Sequence, residues 1–453
     1  MCKKMRFHHN KTIMATVIGS REIWKIACPI MLGNLAQTII TFTDTAFLGH
    51  LGITELSASM MACLNYFVFT TLAMGFGVGV QIYIARRYGE GRFDQIGVVF
   101  SHGANFVLLI GLSMFLILFF GSKGLMRMII RSEEIYTASL DYLRFRKFGI
   151  LFVTFNFLFR SFFVGISRTN AITFSTLIMA VTNIILDYAL IFGHWGFPQM
   201  GIEGAALASL AAEVAACAFF WLFAFFRVPQ AYGLFRRHPK DWRLAVGMLK
   251  VAFPSMLQRF FSFGTYFVFF ILIEKMGETA LGVSSVVRSV YLLLIIPSIA
   301  FSATSNTLTS RMIGEGKGDL VGKMLWKVAA NCLCCTLPFV LLTFCIPFQV
   351  VQIYTSDLPL ARAAVPTLYT VGVAALLSSV TMTFFEAVSG TGNTTVALLL
   401  EMGVLVVYVS YIYVSSRSLP IHAVWLAECI YYCLLGIISF LYIRKAGWRR
   451  KRL

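Results

Sequence analysis

The sequence predicts an all-α polytopic membrane protein with twelve transmembrane helices, arranged as two parallel six-helix repeats. Of its 453 residues, 58% are hydrophobic and only 13% are charged, whereas a soluble domain carries about 25% charged residues. Apolar runs such as 104–120 and 328–348 are continuous, so they suit helical spans and lack the alternation of barrel strands. Two parts of the chain also match each other at a fixed offset of 225 residues.

The first six predicted helices are apolar segments bounded by charged or glycine-containing turns. Helix 1 follows a basic tail, helices 2 and 3 flank a Gly-Glu-Gly turn, helix 4 follows a basic segment, and helices 5 and 6 flank a polar turn. They cover roughly 23–48, 54–84, 97–120, 139–164, 170–193 and 204–227.

The second six helices repeat this order after a polar linker, the longest polar stretch inside the chain. Helices 7 and 8 precede a second Gly-Glu-Gly turn, helix 9 is a long apolar run, and helices 10 to 12 are separated by short glycine- or serine-containing turns. They cover roughly 248–273, 280–309, 325–347, 362–389, 395–415 and 420–443.

The internal repeat is clearest at the Gly-Glu-Gly turns. Residues 86–95 read RRYGEGRFDQ and residues 311–320 read RMIGEGKGDL. The same offset pairs Pro29 with Pro254 in helices 1 and 7. Because six helices per copy is an even number, both copies enter the membrane from the same side, which predicts parallel repeats.

Loop charges predict that both termini are cytoplasmic. The loops on the side of the N-terminus hold 24 Lys and Arg residues and the opposite loops hold nine, and the positive-inside rule places the richer side in the cytoplasm. We therefore expect an integral plasma (inner) membrane protein. The predicted parts are a cytoplasmic tail at 1–22, an N-lobe at 23–227, a cytoplasmic linker at 228–247, a C-lobe at 248–443 and a basic cytoplasmic tail at 444–453.

One segment departs from this charge pattern. Residues 121–147 hold six basic residues on the side predicted to face outward. Either this segment is an interfacial amphipathic stretch, or helix 4 begins before residue 139. The positive surplus belongs to loops, so it indicates membrane orientation and excludes a nucleic-acid partner. The cysteines lack nearby metal-ligand companions and are expected to be small apolar helix residues.

The two copies differ at three polar positions inside predicted helices. Asp44 in helix 1 has Phe269 as its counterpart, and in helix 5 Asn183 and Asp187 correspond to Tyr408 and Ile412, respectively, in helix 11. The shared frame therefore does not need these polar groups. The buried ionisable residues are expected mainly in the first copy.

The carboxylates of Asp44 and Asp187 are predicted to lie at a similar depth in the membrane. Asp44 and Asp187 each lie shortly before the outer end of their helices, and Asn183 lies one turn from Asp187 on the same face. A carboxylate inside a span costs at least about 2.5–3.5 kcal/mol on insertion scales. The pattern predicts a proton or cation site, and the alternative is a polar contact that only joins helices 1 and 5.

Several other polar or helix-bending residues are secondary candidates. Some of these residues are interpreted as lining a cavity. The alternative is that they pack between helices or form hydrogen bonds to a neighbouring helix. The candidate lining residues are Asn34, Gln37, Ser209 and Glu213. Pro29 is a candidate hinge because proline removes a helix hydrogen bond. Glu386 is either a gating residue or one partner of an inter-helix pair.

These residues resemble the multidrug and toxic compound extrusion family, the MATE transporters, over nearly the whole chain. Helix 1 is similar to the family's Pro-Asn-Gln-Asp pattern, the Arg-Gly-x-Gly turns fit in both copies, and so does the Asn-x-x-x-Asp pair of helix 5. Within the family the chain looks closest to the DinF-like branch, whose acidic cluster lies in the first lobe. Helix 7 has no carboxylate before Glu274 and helix 10 has only Glu386, unlike the branch typified by NorM.

The resemblance implies a secondary active multidrug antiporter that works by alternating access, and no enzyme. Asp44 and Asp187 would be the coupling acids and Asn183 a neutral ligand, with H⁺ or Na⁺ as the coupling ion and no other metal or cofactor. The implied partners are organic cations or amphipathic drugs and the lipid bilayer, and the protein is expected to be a monomer. The alternative is a lipid-linked saccharide flippase of a related fold, which predicts an arginine-rich cavity from Arg160, Arg259 and Arg288.

Overall fold

The computed structural model describes residues 18–236, 238–355, 357–445, 447–450 and Leu453. Most of the predicted N-terminal tail and part of the basic C-terminal tail lie outside these residues. Within the described part, the regular secondary structure is entirely helical. The apolar composition and long runs therefore led to the correct fold class.

The first lobe contains six long helices, which we label α1 to α6. Each is long because its backbone hydrogen bonds must be satisfied internally where no water reaches them. The helices are α1 (Ser20–Leu51), α2 (Ile53–Gly89), α3 (Asp94–Ile129), α4 (Glu133–Gly165), α5 (Asn170–Phe192) and α6 (Gly201–Arg227).

In the part of the second lobe that the structure describes there are nine α-helices, because several spans are broken or preceded by a short helix. The helices are α7 (Trp242–Glu274), α8 (Glu278–Leu294), α9 (Ile296–Gly314), α10 (Val321–Cys345), α11 (Pro347–Gln352), α12 (Leu358–Gly390), α13 (Thr394–Ser415), α14 (Ile421–Val424) and α15 (Leu426–Arg444).

Twelve spans account for these helices, as the sequence predicted. Among the described residues, eleven segments are long and apolar enough to cross a membrane, and α8 with α9 forms a twelfth that is bent by 44°. The prediction of one continuous helix over 280–309 is therefore wrong. Pro297 lies in the first turn of α9, and its missing N–H group weakens the helix at this point.

The start of α4 explains the basic segment at 121–147. This helix begins at Glu133, well before the predicted residue 139, and Ser132 caps it by accepting a hydrogen bond from the backbone of Ile135 at 3.5 Å. Arg144, Arg146 and Lys147 lie inside this helix, as they did within the predicted bounds, and Lys123 and Arg127 lie inside α3. Of the two alternatives for this segment, the early start of helix 4 is correct.

The two Gly-Glu-Gly turns have the same backbone conformation. Gly91 has a φ of 72° and its counterpart Gly316 has a φ of 74°, a region that side chains disfavour. Each turn ends a long helix of its lobe, α2 in the first and α9 in the second. The repeat in sequence is therefore a repeat in structure.

The lobes meet where α2 and α9 end, and we call this region the seam. A Cβ atom on Gly89 would lie 2.1 Å from the carbonyl oxygen of Arg311, and one on Gly314 would lie 2.5 Å from that of Arg86. Because these pairs are counterparts, each turn packs against the other's helix in the same way. Only glycine allows this approach of two backbones.

A hydrogen bond between counterpart side chains continues the seam. Gln81 on α2 donates to Asn306 on α9 at 3.4 Å and to the hydroxyl of Thr307 at 2.9 Å. Gln81 and Asn306 are related by the 225-residue offset. The pseudo-twofold relation between the lobes therefore passes between α2 and α9 at this level.

Replacing Gly89 with alanine tests how closely the lobes pack at the seam. The new methyl group meets backbone, which has no rotamer to change, so we expect Gly89→Ala to lower the free energy of unfolding by about 1–3 kcal/mol. The unfolding temperature of the purified protein measures this. Gly322→Ala is the matched control, because no atom lies within 4 Å of its added Cβ. Equal unfolding temperatures for the two variants would contradict the close contact.

Candidate functional site

Helices α1 and α5 bring the three predicted polar residues together. Asp44 on α1 lies close enough to Asp187 and Asn183 on α5 for their side chains to interact. Asp187 is completely buried and Asn183 is 1% exposed, whereas Asp44 is half-buried. The depth argument from sequence thus placed these groups correctly relative to one another.

The three side chains are poorly satisfied by the protein itself. Within the described part of the chain, both oxygens of Asp187, one oxygen of Asp44 and the amide of Asn183 have no hydrogen-bond partner at ordinary geometry. Buried polar groups nearly always have partners, and two adjacent carboxylates repel each other. A proton or a small cation between them would supply the missing interaction.

An ion pair lies next to this site. Arg146 on α4 donates to Glu213 on α6 through two bonds of 2.8 and 2.7 Å, and their side chains are 12% and 8% exposed. The guanidinium also stacks on the ring of Tyr66 at 3.9 Å from its centroid and donates to its hydroxyl at 3.1 Å. Two parallel bonds of this kind make a strong, specific pair.

The ion pair of Arg146 and Glu213 does not balance the charge of Asp44 and Asp187. Arg146 attracts Asp44 electrostatically, but its hydrogen bonds go to Glu213 and Tyr66. Because Arg146 and Glu213 neutralise each other, the ion pairs of the described residues leave Asp44 and Asp187 without a cation of their own. Glu213 forms this ion pair in the structure, and its predicted cavity-lining role stays a prediction.

Gly149 creates the room for the ion pair. A Cβ atom there would lie 2.3 Å from a carboxylate oxygen of Glu213 and 2.5 Å from a guanidinium nitrogen of Arg146. The pair therefore lies directly against the backbone of α4. Sequence reasoning missed Arg146, although an arginine and a glutamate in two spans of one lobe signal an inter-helix pair, because each alone is costly.

The other candidates on α1 have separate contacts. Asn34 accepts a hydrogen bond from Arg160 at 2.8 Å, and the side chain of Gln37 is exposed.

At Pro29, the candidate hinge, helix α1 continues without a break. Pro29 has no N–H group to donate to the carbonyl of Lys25. The hydroxyl of Thr169, the residue before α5, donates to this carbonyl instead, at 3.1 Å. Ser209 on α6 is half-buried.

Glu386 lies in a network that reaches the seam. It accepts a hydrogen bond of 2.6 Å from Arg259 on α7 and one of 3.1 Å from Asn306 on α9. Asn306 in turn accepts from Gln81 of the other lobe. The inter-helix pair is thus present, and a gating role for Glu386 stays a prediction.

Among the described residues, the second lobe contains a buried and a half-buried carboxylate that sequence reasoning missed. Glu401 on α13 is 3% exposed, accepts from Ser262 at 2.6 Å and from Tyr431 at 2.9 Å, and its second oxygen has no partner within the described residues. Glu428 on α15 is half-buried and accepts from Tyr408 at 2.7 Å.

Buried ionisable residues nevertheless lie mainly in the first copy, as expected. Among the described residues, the buried charged or histidine side chains are Arg86, Arg87, His102, Asp187 and Glu213 in the first copy and Glu386 and Glu401 in the second.

Aromatic rings fill the positions that correspond to the carboxyl site. Phe269, the counterpart of Asp44, stacks on Tyr408, the counterpart of Asn183, with centroids 6.3 Å apart, and contacts Trp425 at 4.9 Å. Comparing the two copies residue by residue reveals only the polar residues that the first copy has and the second lacks. Glu401 would have been found by the simpler rule that an acid within an apolar run, here LLLEMGVL, marks a site.

A comparison with known protein families finds a match to one family over most of the chain. The MatE family model matches residues 29–189 and 254–414, so it matches twice at the offset of the internal repeat. A relative described as a probable multidrug resistance protein NorM, from Thermotoga maritima, is 24% identical over 445 residues and covers 93% of this chain and 92% of its own. A similarly described protein from Rhizobium meliloti is 33% identical over 187 residues, which cover 41% of this chain and 39% of its own.

Solved structures show the same architecture. The outward-facing conformation of a multidrug resistance MATE family transporter has a TM-score of 0.88 at 21% identity and covers 95% of this chain and 96% of its own. A Vibrio cholerae MATE transporter, VcmN, has a TM-score of 0.85 at 18% identity and covers 95% of this chain and 98% of its own. The two-lobed arrangement of twelve spans is thus the fold of known transporters.

Removing one partner of the Arg146–Glu213 pair tests its role. Glu213→Gln leaves a buried guanidinium without its counter-charge, so we expect a loss of about 3–5 kcal/mol of unfolding free energy. The double variant Arg146→Gln with Glu213→Gln removes both charges and should lose clearly less. Thermal unfolding of the purified variants compares them. A single variant as stable as the wild type, or a double variant that loses the sum of both single losses, would contradict a compensated pair.

Proposed function

Since this chain belongs to the MATE family of multidrug efflux transporters, we propose that it exports organic cations or amphipathic drugs in exchange for H⁺ or Na⁺. It is an integral membrane protein. The observation that carries the proposal is the carboxyl pair of Asp44 and Asp187, which lacks a counter-charge of its own.

The coupling mechanism follows from the charge of this pair. When the coupling ion occupies Asp44, Asp187 and Asn183, it lowers the negative charge of the carboxyl pair from two to one and supplies the missing interactions of the buried side chains. When the ion leaves, two adjacent carboxylates remain in a poorly hydrated site, and this arrangement is unfavourable. A cationic drug bound nearby, or a change in helix packing, reduces the repulsion between the two carboxylates. Ion and drug thus favour different states of one lobe, as exchange requires.

Three oxygen-bearing groups suit either coupling ion. Carboxylates and an amide oxygen are hard ligands appropriate to Na⁺, and a proton between two carboxyl groups would provide the hydrogen bond that their closeness allows. No other cofactor is proposed. The DinF-like assignment stays a prediction, supported by the location of these groups in the first lobe.

The substrate class is supported by the relatives and by the composition. Relatives of this chain are described as multidrug resistance proteins. The chain holds 43 Phe, 17 Tyr and 19 Met residues, and aromatic and thioether side chains bind flat or greasy cations through stacking and cation–π contact. We propose a monomer as the transporting unit.

The orientation is supported by the loop charges and by the corrected start of α4. Three of the six basic residues at 121–147 lie inside this helix, and Arg146 is paired with Glu213. Fewer free positive charges are thus left on the side opposite the Gly-Glu-Gly turns. We propose the plasma (inner) membrane with both termini in the cytoplasm, so that the seam closes the cytoplasmic end.

The flippase alternative gains no support from the arginines that suggested it. A site for a lipid pyrophosphate would need arginines whose donors are available. Arg160 donates to Asn34, Arg259 pairs with Glu386, and Arg288 donates to Tyr266 at 2.8 Å and lies over Phe270. Each of the three therefore already has a partner within the protein.

Transport in proteoliposomes, with a fluorescent organic cation and separately imposed pH and sodium gradients, tests the proposal. The wild type should accumulate the cation under one of the gradients. Asp44→Asn and Asp187→Asn should lose this gradient-driven accumulation, because neither variant holds a carboxyl pair that needs the ion. The gradient that drives the wild type identifies the ion.

Two further variants make the transport result specific. Asp141→Asn is the matched control, because Asp141 is half-buried on α4 and belongs to none of the ion pairs of the described chain. It should transport like the wild type. Glu401→Gln tests the buried acid of the second lobe. If Glu401→Gln alone abolishes transport while Asp44→Asn retains it, coupling lies in the C-lobe and the assignment is wrong.

A further inference from the structure

A basic cavity of about 750 Å³ lies beside the seam, and we call it the seam cavity. Residues from both lobes form its wall, together with the linker that joins them. Its cationic residues are Arg87 at the end of α2, Arg92 in the first Gly-Glu-Gly turn, and Arg243 and Lys250 in the first turns of α7. The carboxyl site described above contributes no residue to it.

The positive charge of the seam cavity is only partly balanced. Glu90 is the acidic partner of both Arg87, at 2.7 Å, and Arg92, at 3.6 Å. The lining acid, Asp241, accepts hydrogen bonds from the backbone N–H groups of Arg243 and Leu244 and so caps α7. The ion pairs found among the described residues include neither Arg243 nor Lys250.

Arg87 is the most unusual of these cations because it is only 8% exposed. One terminal nitrogen donates to Glu90 and the other to the carbonyl of Leu453 at 3.0 Å, whereas its Nε has no partner within the described residues. Within the described residues, Arg87 thus shares its acidic partner Glu90 with Arg92, and the two guanidinium groups carry one positive charge more than Glu90 balances.

The start of one helix adds positive potential. The long helix α13 begins at Thr394, at the wall of the seam cavity, whereas the start of α7 is already capped by the carboxylate of Asp241. The N-terminus of a helix carries about half a positive charge and binds anions. The remaining wall includes the apolar side chains of Val98, Leu244 and Val251, so it combines a cationic region with an apolar one.

We propose that the seam cavity binds a phosphate-bearing anion, namely the headgroup of an anionic lipid from the same membrane leaflet or free phosphate. Lysine and arginine side chains with helix N-termini are the groups that bind phosphate. The anion contacts Arg87 and Arg92 of the N-lobe and Arg243 and Lys250 of α7. It therefore joins the lobes next to the seam and stabilises the state in which this end is closed. This binding does not depend on the coupling mechanism.

Lipid binding to the purified full-length protein tests the proposal. Phosphatidylglycerol, phosphatidylcholine with the same acyl chains, and sodium phosphate are added separately in detergent, and the unfolding temperature and the bound lipid seen by native mass spectrometry are measured. We expect phosphatidylglycerol to raise the unfolding temperature more than phosphatidylcholine. In the double variant Arg243→Gln with Lys250→Gln its affinity should fall at least roughly tenfold, since each basic residue near an anionic lipid contributes appreciably.

The control variant is Lys323→Gln with Lys327→Gln. Both lysines are exposed on the first turns of α10, at the same end of the molecule and outside the seam cavity. This control should bind phosphatidylglycerol like the wild type. If sodium phosphate stabilises the protein and displaces the lipid, the site is confirmed and its source is soluble phosphate. If both lipids act equally, or if the control loses as much affinity as the cavity variant, the proposal is wrong.

Discussion

The repulsion between two carboxyl groups in a membrane-embedded lobe is the constraint on which the rest of this protein depends. Asp44 and Asp187 are adjacent, largely removed from water and without a counter-charge of their own. The cation nearest to them, Arg146, is held by Glu213 and Tyr66 in a pair that fits against Gly149. Within the described residues, this nearby positive charge is thus already paired, which supports the proposal that an exchangeable ion binds at the site.

Symmetry supplies the frame in which this constraint acts. The turns at Gly91 and Gly316, the close approach at Gly89 and Gly314, and the bond between Gln81 and Asn306 are related by one offset. The frame joins the lobes at one end without using the carboxyl pair. The same frame accepts a carboxyl pair in one lobe and an aromatic cluster around Tyr408 in the other, so the two lobes share a fold and differ in chemistry.

Most of the fold and the central part of the site could be predicted from the sequence. Apolar length identified the spans and the repeat identified their arrangement. The comparison of copies predicted that Asp44, Asn183 and Asp187 lie together, because a periodic helix fixes both depth and face, and their role in ion binding stays a prediction. The Arg146–Glu213 pair could not be located in this way, since it joins α4 to α6 and depends on how these helices pack. Glu401 was overlooked because its partners, Ser262 and Tyr431, come from two other helices.

The most direct test is to measure the ion that a drug displaces from the purified protein. A fluorescent organic cation is added in weakly buffered detergent solution, and pH-sensitive and sodium-sensitive indicators follow the ions released. The wild type should release H⁺ or Na⁺ in proportion to the drug bound, and a variant with asparagine at both Asp44 and Asp187 should bind drug without releasing either ion. Equal release from the wild type and this variant would contradict the claim that the carboxyl pair holds the coupling ion.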